Sequence, residues 1–253
     1  MKNTAAKKAL EITDLRKDYG KQESLTHALR GITMSMEEGE FLAVMGPSGS
    51  GKSTLLNLIA TIDRKTSGKI YIGGEDLDRV KEKDLARFRR EKLGFIFQDF
   101  GLLDTLTAYD NTALPLSINH VDPACIGEKV VGTATLLGIG KLLHKYPYEL
   151  SGGEKSRVSS ARALASSPSL VLADEPTGAL DTKSSRALLE SLADINKREK
   201  ATILIITHDP FAASYASRVL FLEDGRMKKE IVREGERVPF FDEIMSFSGR
   251  RGE

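Results

Sequence analysis

A glycine-rich loop at residues 46–53 constrains the fold of this 253-residue chain more than any other feature. It follows a run at residues 40–45, apolar from Phe41 onward and typical of a buried strand, and precedes a segment at 54–60 that is typical of a helix. The loop matches the pattern G-x-x-x-x-G-K-[ST] through Gly46, Pro47, Ser48, Gly49, Ser50, Gly51, Lys52 and Ser53. A strand, this loop and a helix in succession predict an α/β fold with a phosphate-binding site, because a surface glycine turn would lack the flanking elements.

The residue types of the loop explain why it would hold phosphate. Glycines let backbone N–H groups converge on one anion, and the N-terminus of the following helix adds positive charge. Lys52 can reach the β- and γ-phosphates of a nucleotide, and the hydroxyl of Ser53 can ligate Mg²⁺. We therefore predict that the loop, together with Thr54 at the start of the helix, binds a nucleotide with Mg²⁺.

Composition is that of an ordinary globular protein. Hydrophobic residues make up 40% and charged residues 29%, and the net charge of +1 gives no support for nucleic acid as a partner. The single cysteine, Cys125, excludes an internal disulfide framework and fits a reduced, cytosolic setting. No apolar stretch approaches the roughly 18 residues that span a bilayer, and the basic first residues lack the apolar core of a secretory signal. Any link to a membrane is expected to run through another chain.

Two acidic residues and a histidine follow apolar runs that are typical of buried parallel strands. Asp174 and Glu175 end the run at residues 170–173, and His208 follows the run at 202–206. The carboxyl ends of such strands, beside a phosphate loop, are where Mg²⁺ and an attacking water need carboxylates. We expect Asp174 to hold Mg²⁺ and Glu175 to polarise the water. His208 is either a contact to the γ-phosphate or a structural residue.

Other segments predict a second sheet and a helical lobe. Short alternating runs before the loop and at residues 68–74 predict a small antiparallel sheet. The charged stretch at 80–91 predicts a solvated helix with Leu85 and Phe88 on its apolar edge. Asp122, followed by a proline, predicts the start of a further helix. The buried side of that helix would comprise Val130, Val131, Leu136 and Leu137.

The ordered set of motifs resembles that of the ATP-binding subunits of ABC transporters, over roughly the first 225 residues. The loop is similar to that family's Walker A motif and residues 171–176 to its Walker B strand, and Gln98 sits where the family has its Q-loop glutamine. Ser151, Gly152 and Gly153 match the signature motif. Asp181 matches the D-loop, and His208 matches the switch histidine. Tyr19 falls where an aromatic residue commonly stacks on adenine, although a tyrosine near the first strand is as often a core residue.

The resemblance implies an ABC-type P-loop NTPase. It predicts one ATPase domain at residues 9–248, with a parallel-sheet core, a small antiparallel β subdomain and an inserted α-helical subdomain at roughly 98–165. A C-terminal extension is expected at roughly 226–253. ATP and Mg²⁺ are the implied cofactors. The metal would be held by Ser53, Gln98 and Asp174, and hydrolysis would involve Glu175, His208 and Gln98.

The resemblance also implies partners. Ser151, Gly152 and Gly153 of one copy would meet the Walker A loop of a second copy across the nucleotide, near Asp181. A head-to-tail dimer with two ATP at its interface is therefore expected. A transmembrane permease would dock on the helical lobe after Gln98, which places the chain in the cytoplasm, peripheral on the inner face of the cell membrane.

The fifth residue of the signature departs from the family pattern. The usual glutamine is replaced by Glu154, which keeps the length and adds a negative charge. A carboxylate facing the nucleotide would repel phosphate, so we predict that Glu154 faces away and that hydrolysis survives.

Two stretches favour one branch of the family, which includes macrolide exporters, lipoprotein-release ATPases and bacitracin-type antimicrobial-peptide transporters. These stretches are residues 99–107 and 173–181. The tail at residues 238–245 is similar to the extension of the bacitracin-type group, where a sensor kinase could be linked through the permease. The tail is either a disordered basic segment or a short docked helix, which burial of Phe240, Phe241, Ile244 and Met245 would favour.

Two other functions are compatible with a chain of this kind. One is a regulatory or mechanical ATPase of the division type, whose membrane partner transmits a signal and transports nothing. The other is an ABC-type DNA-repair or translation ATPase. Repair members interrupt the core with long coiled coils and translation members carry two cores in one chain, and this sequence has neither feature.

Overall fold

Two sheets organise the described part of the chain. The computed structural model describes residues 7–21 and 24–249. Its strands, in chain order, are β1 (Lys8–Tyr19), β2 (Thr26–Glu37), β3 (Phe41–Met45), β4 (Ser67–Ile72), β5 (Glu75–Asp76), β6 (Leu93–Ile96), β7 (Leu170–Asp174), β8 (Ile203–Thr207), β9 (Arg218–Glu223) and β10 (Arg226–Val232). Their arrangement confirms the predicted α/β fold, with a largely parallel core sheet and a smaller antiparallel sheet.

The core sheet has the strand order β10-β9-β3-β8-β7-β6 over the described residues. Neighbours from β9 to β6 run parallel, whereas β9 and β10 form an antiparallel hairpin. The central strands are buried along their length because apolar clusters cover both faces of the sheet. Along β3, for example, Leu42 and Val44 join one cluster, and Phe41, Ala43 and Met45 join the other.

The second sheet has the order β2-β1-β4-β5, all antiparallel. Alternation along β2 buries Ile32, Met34 and Met36, as the sequence predicts. These side chains share one apolar cluster with Leu42 and Val44 of the core sheet, so both sheets pack around a common core. This packing sets the position of the β1–β2 edge relative to the glycine loop.

Helices fill the connections between the strands. They are α1 (Lys52–Ile59), α2 (Leu85–Lys92), α3 (Ala108–Ile118), α4 (Pro123–Leu136), α5 (Gly152–Leu164), α6 (Thr182–Glu199), α7 (Pro210–Ala213) and α8 (Arg237–Gly249). The predicted helix at residues 80–91 was wrong in its start. A short 3-10 turn at Glu82–Asp84 precedes α2, and Phe88 is the buried residue of this helix.

The helical lobe consists of α3, α4 and α5, which pack on one another between β6 and β7. Asp122 caps α4 by accepting a hydrogen bond from the N–H of Ala124, as predicted. The predicted buried face was half wrong, since Val131 and Leu136 are exposed. Val130, Ala134 and Leu137 are buried instead, because spacings of four and three residues place them on one side of the helix.

The C-terminal segment is part of the folded domain as far as residue 249. Strand β10 completes the core sheet, and α8 follows it and packs on α7. Phe240 and Ile244 are buried, whereas Met245 is exposed, so a docked helix is confirmed and the alternative of a disordered tail is wrong for these residues. The predicted extension also includes residues 250–253, which lie outside the described residues. Across residues 7–21 and 24–249, no helix has the length and apolar character needed to span a bilayer.

Candidate active site

The glycine loop runs from the end of β3 to the start of α1. At Gly46 an added Cβ atom would lie only 2.0 Å from the carbonyl oxygen of Leu222, so no side chain fits there. Gly51, the residue before α1, has φ of 102°, a left-handed conformation that glycine adopts without strain. These close approaches bring the loop against β9 and leave its inner side open. A buried hydroxyl, Ser50 Oγ, lies within the loop without a hydrogen-bond partner among the described residues.

Lys52 is folded into the loop. Its Nζ donates to the carbonyl oxygens of Gly46 and Pro47, at 2.8 Å each, and only 9% of the residue is exposed. Burial lowers the pKa of the Lys52 ammonium, and the charges of Glu175 and Asp174 oppose that shift. The ammonium is therefore held by the loop backbone and lines the same cavity as the two carboxylates.

A cavity of about 830 Å³ opens beside the loop. It brings together most residues of the loop with Thr54, Asp174, Glu175 and His208, so the structure joins the loop to two segments that lie more than a hundred residues after it in the sequence. Its other lining residues are Thr26, His27, Ala28, Arg30, Ile206, Asp224 and Gly225. Sequence reasoning missed this second set. Only the turn at Asp224 and Gly225 was recognised, and then as a hairpin rather than as a wall of the site.

Asp174 and Glu175 end β7 at the mouth of the cavity. Burial raises the pKa of the Asp174 carboxyl, the charge of Glu175 raises it further, and Lys52 partly compensates. Glu175 has φ of 43°, and its N–H donates to the carbonyl oxygen of Ile206 at 2.9 Å. The left-handed turn thus fixes Glu175 between the ends of two parallel strands.

The side chain of Glu175 holds the segment after β8. Its Oε1 accepts a hydrogen bond from the backbone N–H of His208 at 3.0 Å and lies 2.8 Å from the ring Nδ1 of His208. Its Oε2 accepts from the hydroxyl of Thr207 at 3.1 Å. The carboxylate that is predicted to polarise a water is therefore bonded to the predicted switch histidine within one chain.

Oxygen donors of the site suit Mg²⁺. The Ser53 hydroxyl and the Asp174 carboxylate both line the cavity, and small hard cations prefer oxygen ligands completed by phosphate and water. Among the described residues no three His, Cys, Asp or Glu side chains converge on one point, so these residues form no all-protein cage. Gln98, the third predicted ligand, follows β6 outside the cavity lining, with its Nε2 close to Gly178.

Tyr19 also lies outside the cavity lining. Its hydroxyl donates to Asp63 Oδ2 at 2.6 Å, and the Lys17 ammonium lies 4.5 Å from the centre of its ring. Tyr19 is the last residue of β1 and pairs with Thr26, which does line the cavity. Its predicted contact with adenine stays a prediction.

The signature residues lie at the N-terminus of α5, away from the loop of the same chain. Ser151 caps the helix, and both its N–H and its Oγ donate to Glu154 Oε2, at 2.8 and 2.9 Å. The backbone hydrogen bond from Ser151 lowers the pKa of Glu154. Glu154 thus turns back on its own helix end, in a capping box that the spacing Ser-x-x-Glu could have revealed. None of Ser151, Gly152 and Gly153 lines the cavity.

The side chain of the D-loop residue Asp181 is hydrogen-bonded within its own segment. It caps α6, where its two oxygens accept hydrogen bonds from the N–H and the hydroxyl of Ser184, at 2.9 and 2.8 Å. An added Cβ on Gly153 would lie 2.6 Å from Ser184 Oγ, so the signature packs directly on this helix end. The structure therefore joins the signature and the D-loop into one surface that is separate from the loop cavity.

Comparisons with known proteins agree with this geometry. Residues 29–178 match the ABC transporter family. The chain is 48% identical, over 96% of both chains, to the bacitracin export ATP-binding protein BceA of Halalkalibacterium halodurans. It is 45% identical to the lipoprotein-releasing system ATP-binding protein LolD of Geobacter metallireducens, over 86% of this chain and 97% of that protein. A solved dimer of the ATP-binding cassette MJ0796 in a post-hydrolysis state with ADP and Pi has a TM-score of 0.79 and 34% identity. That likeness covers 90% of this chain and all of the other.

Proposed function

The chain belongs to the ABC transporter family and is an ABC-type ATPase, and from this premise we propose that it powers a membrane permease for antimicrobial-peptide export or resistance. The observation that carries the catalytic part is Glu175, which lies at the mouth of the loop cavity and is bonded to His208. The observation that supports the peptide branch is the 48% identity, over nearly the whole of both chains, to a bacitracin export ATPase.

In this proposal the loop binds the phosphates of ATP. The N–H groups of residues 48–54 and the ammonium of Lys52 surround the anion. Ser53 and Asp174 would hold Mg²⁺, with Gln98, which lies outside the cavity lining, as the third proposed ligand. A Mg²⁺ ion held by these residues would neutralise charge on the bound phosphates. The low exposure of Lys52 strengthens its attraction for phosphate, because charges interact more strongly away from water.

Glu175 is the proposed base. Its carboxylate orients and polarises a water for attack on the γ-phosphate, and His208 contacts the same phosphate once ATP is bound. Because Glu175 Oε1 is bonded to the backbone N–H of His208, the base and the histidine are fixed relative to each other. Tyr19 is proposed to stack on the adenine at the β1–β2 edge of the cavity.

A complete site needs a second copy. The signature surface of Ser151, Gly152 and Gly153 is exposed at Ser151 and Gly152 and lies apart from the loop cavity of its own chain. We infer that it closes the site of a second copy, together with Asp181, in a head-to-tail dimer that holds two ATP. Closure on ATP and opening after hydrolysis then form a two-state change that a permease can follow.

The permease is proposed to dock in a groove between the helical lobe and α2. This groove has a volume of about 500 Å³ and a largely apolar lining. Apolar lining residues include Ile62, Phe95, Phe97, Leu114, Pro115 and Ile118. Because Phe97 precedes Gln98, a helix in the groove would contact the segment that carries a proposed Mg²⁺ ligand. Such docking places the chain on the inner face of the cell membrane.

A second candidate function is supported by the 45% identity to LolD, a lipoprotein-releasing ATPase. In that case, or in a macrolide-export or division-type complex, the site and the dimer are the same and the permease differs. A sensor kinase linked through the permease belongs to the peptide-resistance version of the proposal.

The permease can be identified by trapping the closed dimer. We would purify the Glu175→Gln chain from native membranes in Mg-ATP, beside the wild-type chain in ADP, and identify the proteins that co-purify. A large permease with an extracellular domain, enriched only in the trapped sample, supports the peptide-resistance function. A lipoprotein-sorting or division-type membrane protein favours the second candidate. Recovery of ribosomes or DNA without a membrane protein would overturn both.

A further inference from the structure

The C-terminal helix α8 reaches the segment that carries His208. Arg237, its first residue, extends its guanidinium over two aromatic rings, 5.3 Å from the centre of Phe211 and 4.5 Å from the centre of Tyr215. These rings pack edge to face, with centres 5.5 Å apart. Cation–π contacts of this kind are favourable, and more so where the groups are shielded from water, as Tyr215 is here.

Hydrogen bonds join the same groups. Arg237 Nη1 donates to Ser214 Oγ at 3.1 Å, and Ser214 Oγ donates in turn to the carbonyl oxygen of Phe211 at 2.7 Å. Phe211 lies three residues after His208, and its N–H is held by Asp209 Oδ1 at 2.8 Å. Arg237 therefore contacts the Phe211 ring directly and reaches the Phe211 carbonyl oxygen through the Ser214 hydroxyl, three residues after the histidine.

A second guanidinium approaches Phe211 from the D-loop helix. Arg186 of α6, five residues after Asp181, lies 5.9 Å from the centre of the Phe211 ring. Phe211 thus contacts the helix that begins at the D-loop and the helix that ends the described chain. Arg237 therefore links α8 to α7, and Asp209 alone separates α7 from His208 in the sequence.

We propose that Arg237 is a positioning residue for hydrolysis, which holds α7 so that His208 stays against Glu175. The proposal rests on the proposed role of His208. In this proposal the C-terminal extension has a function in the ATPase cycle, because α8 holds the segment from His208 to α7 in the position in which His208 contacts the γ-phosphate. Since Arg237 does not line the loop cavity, its loss should affect the chemical step and leave ATP binding nearly intact.

The test is steady-state hydrolysis of Mg-ATP by the full-length chain carrying Arg237→Ala, Arg237→Lys or the control Val238→Ala. Val238 is the next residue of α8 and is exposed. Arg237→Ala should lower kcat about three- to tenfold with KM for ATP within about twofold. Arg237→Lys, which keeps the charge over the rings, should recover part of kcat, and Val238→Ala should behave as wild type.

A double-mutant cycle separates this inference from the proposed function. If Arg237 acts through His208, adding Arg237→Ala to His208→Ala changes kcat no further. If His208→Ala alone hydrolyses ATP normally, the role of His208 fails. Where His208→Ala is inactive, two results would refute the positioning role and leave that of His208 in place. The first is a normal kcat for Arg237→Ala. The second is an equal loss of kcat in Arg237→Ala and Arg237→Lys, accompanied by a matching loss of thermal stability.

Discussion

Glu175, the proposed base, has a strained backbone conformation. Its φ of 43° is uncommon for a residue with a side chain, and such conformations persist where neighbouring contacts fix them. Here the hydrogen bonds to Ile206, Thr207 and His208 supply those contacts. A substitution that keeps the shape of the side chain should therefore leave the strand ends in place and remove only the carboxylate.

Glu175→Gln should abolish turnover and spare ATP binding. We expect kcat to fall by a factor on the order of 10² to 10³, because the amide cannot act as a base, while Kd for ATP changes by less than about twofold. Phosphate release and nucleotide titration measure the two effects, with Glu199→Gln as a surface control. Turnover equal to that of the wild type would assign the base elsewhere.

The charged form of the Asp174 carboxyl lowers the stability of the folded state. Its carboxyl has a raised pKa because of burial and the nearby Glu175, so the folded state binds a proton more tightly than the unfolded state does. Stability is therefore lost as the pH rises from the ordinary value of 3.8 through the raised pKa, and the penalty is fully present above the raised pKa.

Asp174→Asn should raise thermal stability and remove Mg-dependent hydrolysis. The neutral amide relieves the charge penalty, and a gain of ~1 kcal/mol would raise Tm by about 2–4 °C in a domain of this size. Thermal unfolding at pH 7 without nucleotide measures the gain. A Tm below that of the wild type at pH 7 would contradict this account of the Asp174 environment.

The pKa of Glu154 is shifted in the opposite direction to that of Asp174. Its pKa is lowered by the hydrogen bonds from Ser151, so its contribution to stability is present above the ordinary value of 4.5 and is lost as the pH falls through the lowered pKa. We expect Glu154→Ala to destabilise the protein by ~1 kcal/mol at pH 7 through loss of the capping box. Urea unfolding should find the variant and the wild type converging in acid. A constant difference from pH 7 to pH 3 would exclude the carboxylate as its source.

At the scale of the element, the C-terminal end of α4 provides a matched pair of leucines, since Leu136 is the last residue of the helix and Leu137 is its C-cap. Leu137 is 2% exposed and joins the core of the helical lobe, whereas its neighbour Leu136 is 39% exposed. Because the helix turns by 100° at each residue, consecutive leucines cannot share one face.

Leu137→Ala should lower the free energy of unfolding by about 2–5 kcal/mol, the usual range for a leucine in a packed core. Leu136→Ala should cost less than about 0.5 kcal/mol, since the side chain stays largely in water. Urea unfolding of both variants makes the comparison. Equal costs would show that the face of α4 has been assigned to the wrong residues.

At the scale of the whole molecule, the two halves of the proposed site lie on different surfaces of one chain. Lys52 lies in the loop cavity, whereas Gly152 is exposed beside the D-loop. An added Cβ on Gly152 meets no atom closer than 3.6 Å, so a Cβ there fits within its own chain.

Mixing two inactive variants should therefore restore hydrolysis. Lys52→Ala and Gly152→Asp chains are each expected to be inactive, but a head-to-tail pair of the two contains one site with an intact loop and an intact signature. Random pairing gives mixed dimers half of the time with one of two sites intact, so activity should reach about a quarter of the wild-type value. Activity no greater than that of either variant alone would contradict the shared site.

Local chemistry made much of this protein readable from its sequence. The glycine loop, the buried parallel strands and the proline-started helix at Asp122 depend on neighbours in the chain, and their elements were predicted because backbone freedom, hydrophobic runs and capping act over a few residues. The convergence of Lys52, Asp174 and Glu175 was also predictable, since the carboxyl ends of parallel strands meet at one edge of a sheet.

Only the tertiary structure determined which residues from distant segments of the chain come into contact. Thr26, His27 and Arg30 line the cavity because the antiparallel sheet packs on the same core as β3, and no local pattern encodes that approach. The contact of Arg237 with Phe211 likewise depends on where β10 ends relative to α7. Such placements arise from the packing of whole elements, in which many weak contacts act together, so they are fixed by the fold rather than by any short stretch of sequence.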